Sequence, residues 1–149
     1  MSTRESYSLS RKKGLYLKQT AAKGRGVFCV GDIEEGEILE IAPALLLDAR
    51  ATAQADKTIL YDYKFKLGAL SRPQRALLGI DKPEKSCCIV MGLMAFCNHD
   101  ERPNADIYWE EDDGTVYHFL EATKDIPRNT EICTNYGRGW FAKRNQVRK

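Results

Sequence analysis

Met94-Ala-Phe-Cys-Asn-His-Asp-Glu-Arg-Pro-Asn-Ala105 is the stretch in which an apolar run ends abruptly and a polar run begins. Asn98 and His99 stand at the change. Apolar residues before them can hold the segment in a core, and residues 100–104 have turn-forming side chains that would bring both to the mouth of a pocket. The pattern predicts a functional site. A plain loop between two strands is the alternative, because a lone His is often simply a hydrogen-bonded polar group.

Length and charge place this stretch in a single ordinary domain. The chain has 149 residues, enough to bury roughly two thirds of its unfolded surface around one core. A net charge of +2 is too small to indicate nucleic-acid binding, so we expect none. Residues 1–13 and 143–149 are basic and are predicted to be flexible tails. The domain would then span residues 14–142, with a variable insert at about 48–85.

The cysteines indicate a reducing compartment. They are odd in number, lie mostly in apolar runs and show no C-x-x-C spacing, which favours free thiols in the cytoplasm or nucleus. The N-terminus lacks the apolar region of a signal peptide, and no apolar run approaches the roughly 20 residues of a membrane span. We therefore expect an intracellular protein that does not enter a membrane. The five cysteines are Cys29, Cys87, Cys88, Cys97 and Cys133.

The first half of the chain alternates short strands with tight turns, which predicts small sheets. We expect a strand at 37–41 that Pro43 interrupts, with a second strand resuming at 45–47. The aromatic residues of 61–65 alternate with polar ones and suggest another strand. Residues 71–78 are a helix candidate, with Ser71 as its cap and Gly79 at its end.

The second half continues in the same manner. Cys87–Val90 reads as a buried strand, and residues 92–97 read as a short helical turn that delivers Asn98. Residues 110–114 form an acidic hairpin turn between two strands. His118 falls on the second of these strands and is expected to be a surface or hydrogen-bonded residue. Glu131–Thr134 is the last predicted strand.

Three separated motifs together resemble those of the SET-domain protein lysine methyltransferases. Lys23-Gly-Arg-Gly-Val-Phe28, followed by residues 32–37, is similar to the family's first cofactor motif. Phe96-Cys-Asn-His-Asp-Glu-Arg-Pro-Asn104 is similar to its Asn-His motif. Asp125-Ile126 with Glu131-Ile-Cys-Thr-Asn-Tyr-Gly137 is similar to its terminal tyrosine motif. Each motif alone would be weak, but their order along nearly the whole chain is specific.

The resemblance implies a fold and a contact that local periodicity does not reveal. The expected fold is mainly β, a β-clip-like SET domain of small curved sheets with short helices and a C-terminal pseudoknot. In that pseudoknot the C-terminal segment passes beneath a preceding loop. Tyr136 would then lie beside Asn98 and His99.

The resemblance also implies a cofactor and a set of site residues. S-adenosylmethionine would donate a methyl group and leave as S-adenosylhomocysteine, with no metal involved. Tyr136 is the expected catalytic residue, and the lysine channel would be lined by Tyr63, Tyr136 and Trp140. Alternatively, Trp140 and Phe141 only anchor the C-terminus. The expected cofactor-binding residues are Lys23, Gly24, Arg25, Gly26, Tyr63, Asn98, His99, Tyr136 and Phe141.

The sequence departs from the usual family pattern in three places. No cysteine-rich zinc segment follows the terminal motif, so the ending resembles that of short, virus-type members. Asn135 replaces the common Asp, with little expected loss because either can accept a backbone hydrogen bond. Thr134 stands where Phe or Tyr often limits the number of methyl groups, so we expect room for a second or third methyl.

These features predict methylation of a lysine in a protein, with a histone or histone-like basic tail as the expected substrate. The acidic turn at 110–114 could meet such a tail, although a solvated turn is its ordinary use. A SET-fold peptide-binding module that has lost catalysis is the first alternative. A metal site formed by Cys97, His99 and Cys133 is the second, without a recognised spacing. A homodimer is left open.

Overall fold

The computed structural model describes residues 14–137, which fold into a mainly β domain. The strands are β1 (Tyr16–Thr20), β2 (Gly24–Phe28), β3 (Ile38–Leu47), β4 (Phe65–Lys66), β5 (Cys87–Val90), β6 (Asn98–His99), β7 (Ala105–Asp112), β8 (Thr115–Ala122) and β9 (Glu131–Thr134). The α-helices are α1 (Ala49–Ala55) and α2 (Arg72–Leu78), and the 3-10 helices are Ile59–Asp62, Pro83–Lys85 and Leu93–Phe96. The predicted tails and the predicted domain end at 142 lie outside the described residues. The insert at 48–85 stays a prediction.

The strands form two small sheets, in the orders β1-β2-β9-β6 and β4-β5-β3-β8-β7. The last strand, β9, lies inside the first sheet, antiparallel to β2 and parallel to β6. The sheet therefore depends on a segment that the chain supplies long after the strands on either side of it. No helix within residues 14–137 is both long and apolar enough to cross a membrane.

One hydrophobic core joins the two sheets. Val27 of β2 and Ile132 of β9 come from the first sheet, while Leu39 of β3 and Leu120 of β8 come from the second, and all four are fully buried. Burying each such side chain stabilises the fold by about 1.5–3 kcal/mol relative to leaving it exposed. The core thus fixes the position of one sheet against the other, and with it the residues that lie between them.

The predicted helix is confirmed, as α2. The Ser71 hydroxyl accepts the N–H of Gln74, whose side chain in turn accepts the N–H of Ser71. Pro73 lies in the first turn, and Gly79 ends the helix with φ of 69°. This left-handed conformation favours glycine.

The predicted break at Pro43 is wrong, because β3 runs unbroken for 10 residues. Pro43 lies opposite Tyr117 of β8. Its carbonyl, on the side of β5, accepts the N–H of Met91 at 3.0 Å. The N and C=O of one strand residue point to the same neighbour, and β5 ends at Val90. A residue with an N–H at position 43 would direct it towards β5. Because β5 has already ended there, the proline costs the sheet no strand hydrogen bond.

The predicted aromatic strand at 61–65 is also wrong. Thr58 caps the 3-10 helix Ile59–Asp62 by accepting the N–H of Leu60, and the Lys64 N–H donates to the Leu60 carbonyl at 3.0 Å. These local bonds curl the segment before Phe65 begins β4. Alternation of aromatic and polar residues is therefore not sufficient for a strand when a Ser or Thr cap stands before it.

The acidic hairpin is tighter than predicted. Residues 110–112 belong to β7, and the turn consists of Asp113 and Gly114, with φ of 52° and 82°. Two positive φ values are typical of a two-residue turn whose twist matches the strands.

His118 lies on β8, as predicted, but the expectation that it is a surface or hydrogen-bonded residue is wrong. The residue is only 2% exposed, with the Phe65 ring 5.5 Å from its own, and its Nδ1 has no hydrogen-bond partner among the residues described. Burial lowers the His118 pKa from 6.5 to about 4, so the ring is neutral at neutral pH.

Candidate active site

The loop that follows β6 holds β9 on both sides. Asn98 pairs with Cys133 and His99 pairs with Thr134 in the parallel register. Asn104 closes the loop, because its Oδ1 accepts the N–H of Cys133 at 2.9 Å and its own N–H donates to the Cys133 carbonyl at 3.3 Å. Residues 98–104 therefore enclose the C-terminal segment. This is the pseudoknot that the resemblance implied.

Tyr136 lies beside Asn98 and His99, as expected. Its hydroxyl donates to the carbonyl of Cys97 at 2.5 Å, and its backbone N–H donates to His99 Nδ1 at 3.0 Å. The His99 and Tyr136 ring centroids are 5.4 Å apart. Since Nδ1 accepts a hydrogen bond, the His99 proton sits on Nε2, 3.3 Å from Glu101 Oε1. A neutral His99 therefore helps to hold the Tyr136 backbone.

The Tyr136 phenol is a hydrogen-bond donor and not a base. Burial, followed by the nearby thiol of Cys97, raises its pKa above the ordinary value of 10.0. The phenol therefore keeps its proton at neutral pH and directs it at the Cys97 carbonyl. Tyr136 is 36% exposed, so part of the residue is open to a substrate.

The first motif meets the second around Asn98. Lys23 Nζ donates to the His99 carbonyl at 2.7 Å, and the Arg25 carbonyl accepts from Asn98 Nδ2 at 2.9 Å. The Arg25 guanidinium lies 4.8 Å from the centre of the Phe96 ring. Tyr63 packs edge-on against that same ring, with centroids 5.6 Å apart. Residues from three parts of the sequence thus form one wall.

The two glycines of the first motif have different reasons to be glycine. Gly24 has φ of 73°, with nothing near its missing side chain. A Cβ on Gly26 would overlap Glu131 Oε2 and would lie 3.0 Å from Asn98 Nδ2. Gly26 therefore makes room for protein side chains. The close approach of Gly24 and Gly26 to a cofactor remains a prediction.

Two carboxylates support this site that the sequence did not single out. Glu40 is 3% exposed and accepts the N–H groups of Leu93 and Met94, at 2.9 and 2.8 Å. It thereby holds the 3-10 helix that leads into Cys97. Glu40 lies in an otherwise apolar strand, and this was the sequence feature that could have indicated a buried role for it. The Glu131 carboxylate accepts from Asn98 Nδ2 at 2.7 Å. Glu131 belongs to the terminal tyrosine motif, but the sequence indicated no role for its side chain.

Asn135 behaves as expected for a replacement of Asp, because its Oδ1 accepts the N–H of Gly137 at 2.8 Å. Trp140 and Phe141 lie outside the described residues, so their assigned places stay predictions. Thr134 is 6% exposed in β9.

The metal alternative gains no support from the geometry. No group of three metal-binding side chains comes together within residues 14–137. Burial raises the Cys133 pKa to about 12 and raises the Cys97 pKa well above 9.0, so both thiols stay protonated. All five cysteines of the chain are free.

Comparison with known proteins gives this arrangement its family. Residues 24–137 match the family model described as SET domain. The chain is 30% identical over 129 residues to the histone-lysine N-methyltransferase of Schizosaccharomyces pombe that is specific for lysine 37 of histone H3. That match covers 85% of this chain and 76% of the relative.

Solved structures show the same fold. The Neurospora SET domain protein DIM-5, a histone lysine methyltransferase, superposes with a TM-score of 0.63 at 24% identity, over 86% of this chain and 54% of that one. A candidate histone methyltransferase of Plasmodium falciparum gives a TM-score of 0.61 at 21% identity, over 87% and 98%. The chain therefore belongs to the SET-domain family. Within that family it is a protein-lysine methyltransferase.

Proposed function

We propose that this protein transfers a methyl group from S-adenosylmethionine to a lysine in a histone or histone-like basic tail. The observation that carries the proposal is the meeting of the Tyr136 phenol and backbone with Cys97 and His99 in the pseudoknot. Free cysteines favour the nucleus or cytoplasm as its compartment.

The polar groups of Asn98 and Lys23 suit a cofactor that carries an amino-acid end. Both amide hydrogens of Asn98 are used inside the protein, on the Arg25 carbonyl and on Glu131. Its Oδ1 is then the amide atom left to accept from an ammonium. The Lys23 ammonium is held beside His99 and could receive a carboxylate. The backbone of His99, together with Phe141, is the proposed place for the adenine.

When bound, S-adenosylmethionine supplies a sulfonium whose methyl carbon is the electrophile and whose charge disfavours a neighbouring ammonium. Freeing the amine of a lysine with a pKa of about 10.4 at neutral pH requires roughly 4 to 5 kcal/mol. Tyr136 does not take this proton, because its own pKa is raised. Water accepts the proton. The aromatic wall, which excludes solvent from the amine, lowers its pKa further.

Tyr136 instead positions the amine. Its hydroxyl proton is held by the Cys97 carbonyl, so the oxygen can accept an N–H from the incoming lysine. Placing a nucleophile in line with its target removes much of the barrier that a freely diffusing amine would meet. Tyr63, with the Phe96 ring against it, would pack on the lysine methylenes and attract a methylated ammonium. Trp140 is the proposed third wall.

A histone-like substrate is proposed from the yeast relative, whose name specifies lysine 37 of histone H3. The acidic residues 110–112 end β7, whose other end, Ala105, adjoins the loop that encloses β9. At about 3.3 Å per residue, Asp112 is roughly 23 Å along the strand from Ala105. The acidic segment could therefore contact a basic tail only several residues away from the target lysine.

The test is incubation of the purified protein with labelled S-adenosylmethionine and a panel of histones and unrelated basic proteins, followed by mass spectrometry. Label on a lysine of a histone, absent with Tyr136→Phe, is the expected result. Label confined to other proteins would remove the histone from the proposal. Peptide binding without any transfer would favour the catalytically silent module.

A further inference from the structure

We propose that Glu101 is a positioning residue for methyl transfer, which acts on Tyr136 through the ring of His99. Glu101 accepts a hydrogen bond from His99 Nε2, and this leaves Nδ1 as the acceptor for the Tyr136 N–H. The inference rests on the proposed function, because it concerns the same reaction. It adds a side chain to which neither the motifs nor the family match assigns a role.

The backbone of Tyr136 is anchored outside the sheet. Strand β9 ends at Thr134, so Tyr136 lies two residues beyond the strand. Its N–H donates to His99 Nδ1 at 3.0 Å, and its hydroxyl donates to the Cys97 carbonyl at 2.5 Å. The place of the phenol oxygen therefore depends on the ring of His99 as well as on the Cys97 carbonyl.

The anchor at His99 requires one tautomer of the ring. A neutral imidazole carries one proton, and the nitrogen without the proton is the acceptor. With the proton on Nδ1, two N–H groups would face each other and the bond to Tyr136 would be lost. The hydrogen bonds of the two ring nitrogens decide which tautomer is present. A carboxylate beside Nε2 selects the productive form, because an ionised carboxylate can only accept.

Glu101 supplies the carboxylate at this position. Its Oε1 lies 3.3 Å from Nε2, and the His99 side chain is only 4% exposed, so water has little access to the ring. The Glu101 side chain itself is 52% exposed. Because a solvated carboxylate contributes less to such a pair than a buried one, we expect a moderate effect on the reaction.

The backbone of the loop is held without the Glu101 side chain. The Asp100 N–H donates to the Thr134 carbonyl at 2.9 Å, and Lys23 Nζ donates to the His99 carbonyl at 2.7 Å. Replacing Glu101 should therefore leave the loop in place and remove the acceptor from Nε2.

The first measurement reads the tautomer by NMR at mildly alkaline pH, without cofactor or substrate. A protonated ring nitrogen and an unprotonated one differ widely in ¹⁵N chemical shift, and the chain has only two histidines. His118→Leu identifies the His99 signals by removing the others. We expect a protonated Nε2 and an unprotonated Nδ1 in the unaltered protein, and a mixture of tautomers in Glu101→Ala. Identical His99 shifts in the two proteins would overturn the inference.

The second measurement compares initial rates of label transfer from S-adenosylmethionine to histone H3. Glu101→Ala should lower kcat by about three- to tenfold, the range for one hydrogen bond of ordinary strength. Affinity for S-adenosylhomocysteine should change by less than about twofold, since the lost contact orients Tyr136 and not the cofactor. Glu101→Gln keeps an acceptor for Nε2 and should restore kcat to within about twofold. An equal fall in Glu101→Gln would contradict the assigned role.

Glu84→Ala is the matched control, because Glu84 is an exposed carboxylate in the 3-10 helix Pro83–Lys85. It should alter neither kcat nor affinity.

A double variant shows whether Glu101 acts through His99. In His99→Asn the amide oxygen can accept the Tyr136 N–H in place of Nδ1, and an amide has no tautomer to select. Adding Glu101→Ala to His99→Asn should then lower kcat by less than about twofold. A further loss as large as in the unaltered background would overturn the inference.

Thermal unfolding checks that each variant is folded, and the NMR comparison with Glu101→Gln serves if His99→Asn is not. Failure of the unaltered protein to transfer any label would overturn the proposed function. The ring shifts of His99 would still test the part of Glu101 in that case.

Discussion

Replacing Tyr136 with Phe removes a single oxygen from the centre of the pseudoknot. The lost hydroxyl donates to the carbonyl of Cys97, a residue only 2% exposed, so the carbonyl loses its donor. An unsatisfied buried polar group lowers the free energy of unfolding by about 1 to 3 kcal/mol. The protein should remain folded, because the backbone bond from residue 136 to His99 does not depend on the hydroxyl.

Turnover should fall much further than stability. The phenol oxygen is the group that accepts from the lysine amine, and removal of one pre-oriented polar group from an active site lowers kcat by about 10²- to 10³-fold. Affinity for S-adenosylhomocysteine should change by less than about threefold, since Asn98, Glu131 and Lys23 keep their contacts.

The assay compares initial rates of label transfer with calorimetric affinity for S-adenosylhomocysteine. Tyr108→Phe is the control, because the Tyr108 hydroxyl also donates to a side chain, Glu121 Oε1 at 3.3 Å, but it lies on β7 away from the pseudoknot. That variant should keep its turnover within about twofold. Equal turnover in Tyr136→Phe and the unaltered protein would refute the assigned role. A fall in cofactor affinity as large as the fall in rate would place Tyr136 in cofactor binding instead.

Three further changes test other parts of the structure. Thr134→Phe should shift the product from di- or trimethyl-lysine to monomethyl-lysine by mass spectrometry, and strictly monomethyl product from the unaltered protein would contradict this. Gly92→Ala should lower the free energy of unfolding by about 1 to 3 kcal/mol, because the new Cβ would lie 2.7 Å from Ala42 Cβ and 2.9 Å from Glu40 Oε1; denaturant titration measures it. His118 is neutral when folded, so only the unfolded state takes up its proton as the pH falls from about 6.5 to about 4, and stability should drop by about 3 kcal/mol over that range. His118→Leu should flatten this pH dependence in unfolding experiments, and an unchanged profile would show that other groups cause it.

Local features of the fold could be predicted because the residues that decide them are close in sequence. The cap of α2 depends on Ser71 and on the N–H three residues later, and its end depends on Gly79. The segment at 61–65 departs from its predicted strand for the same kind of reason. The cap at Thr58 lies just outside the alternating window, and it outweighed the alternation.

The centre of the site could be predicted only through the family resemblance. His99 and Tyr136 are 37 residues apart, and they meet because two-residue β6 pairs in parallel with β9. No periodicity encodes a pairing of this kind, because a strand of two residues has no pattern of its own. The order of three motifs carried that information instead.

The roles of the supporting carboxylates could not be found in this way, although Glu131 belongs to the third motif. In a sequence, Glu40 and Glu131 look like the polar positions of half-exposed strands. Only the fold brings Glu40 beneath the N–H groups of Leu93 and Met94, and only the fold brings Glu131 against Asn98.

The position of β9 inside its sheet also has a consequence during translation. A ribosome adds about 5 to 20 residues per second, so the stretch from His99 to Thr134, the end of β9, takes about 2 to 7 seconds to make. Throughout that interval the nascent chain lacks the strand that belongs between β2 and β6, and unpaired strand edges invite pairing with other chains. Chaperone shielding of this gap, or a pause-free stretch of codons between positions 99 and 131, would therefore raise the yield of native protein in the cell.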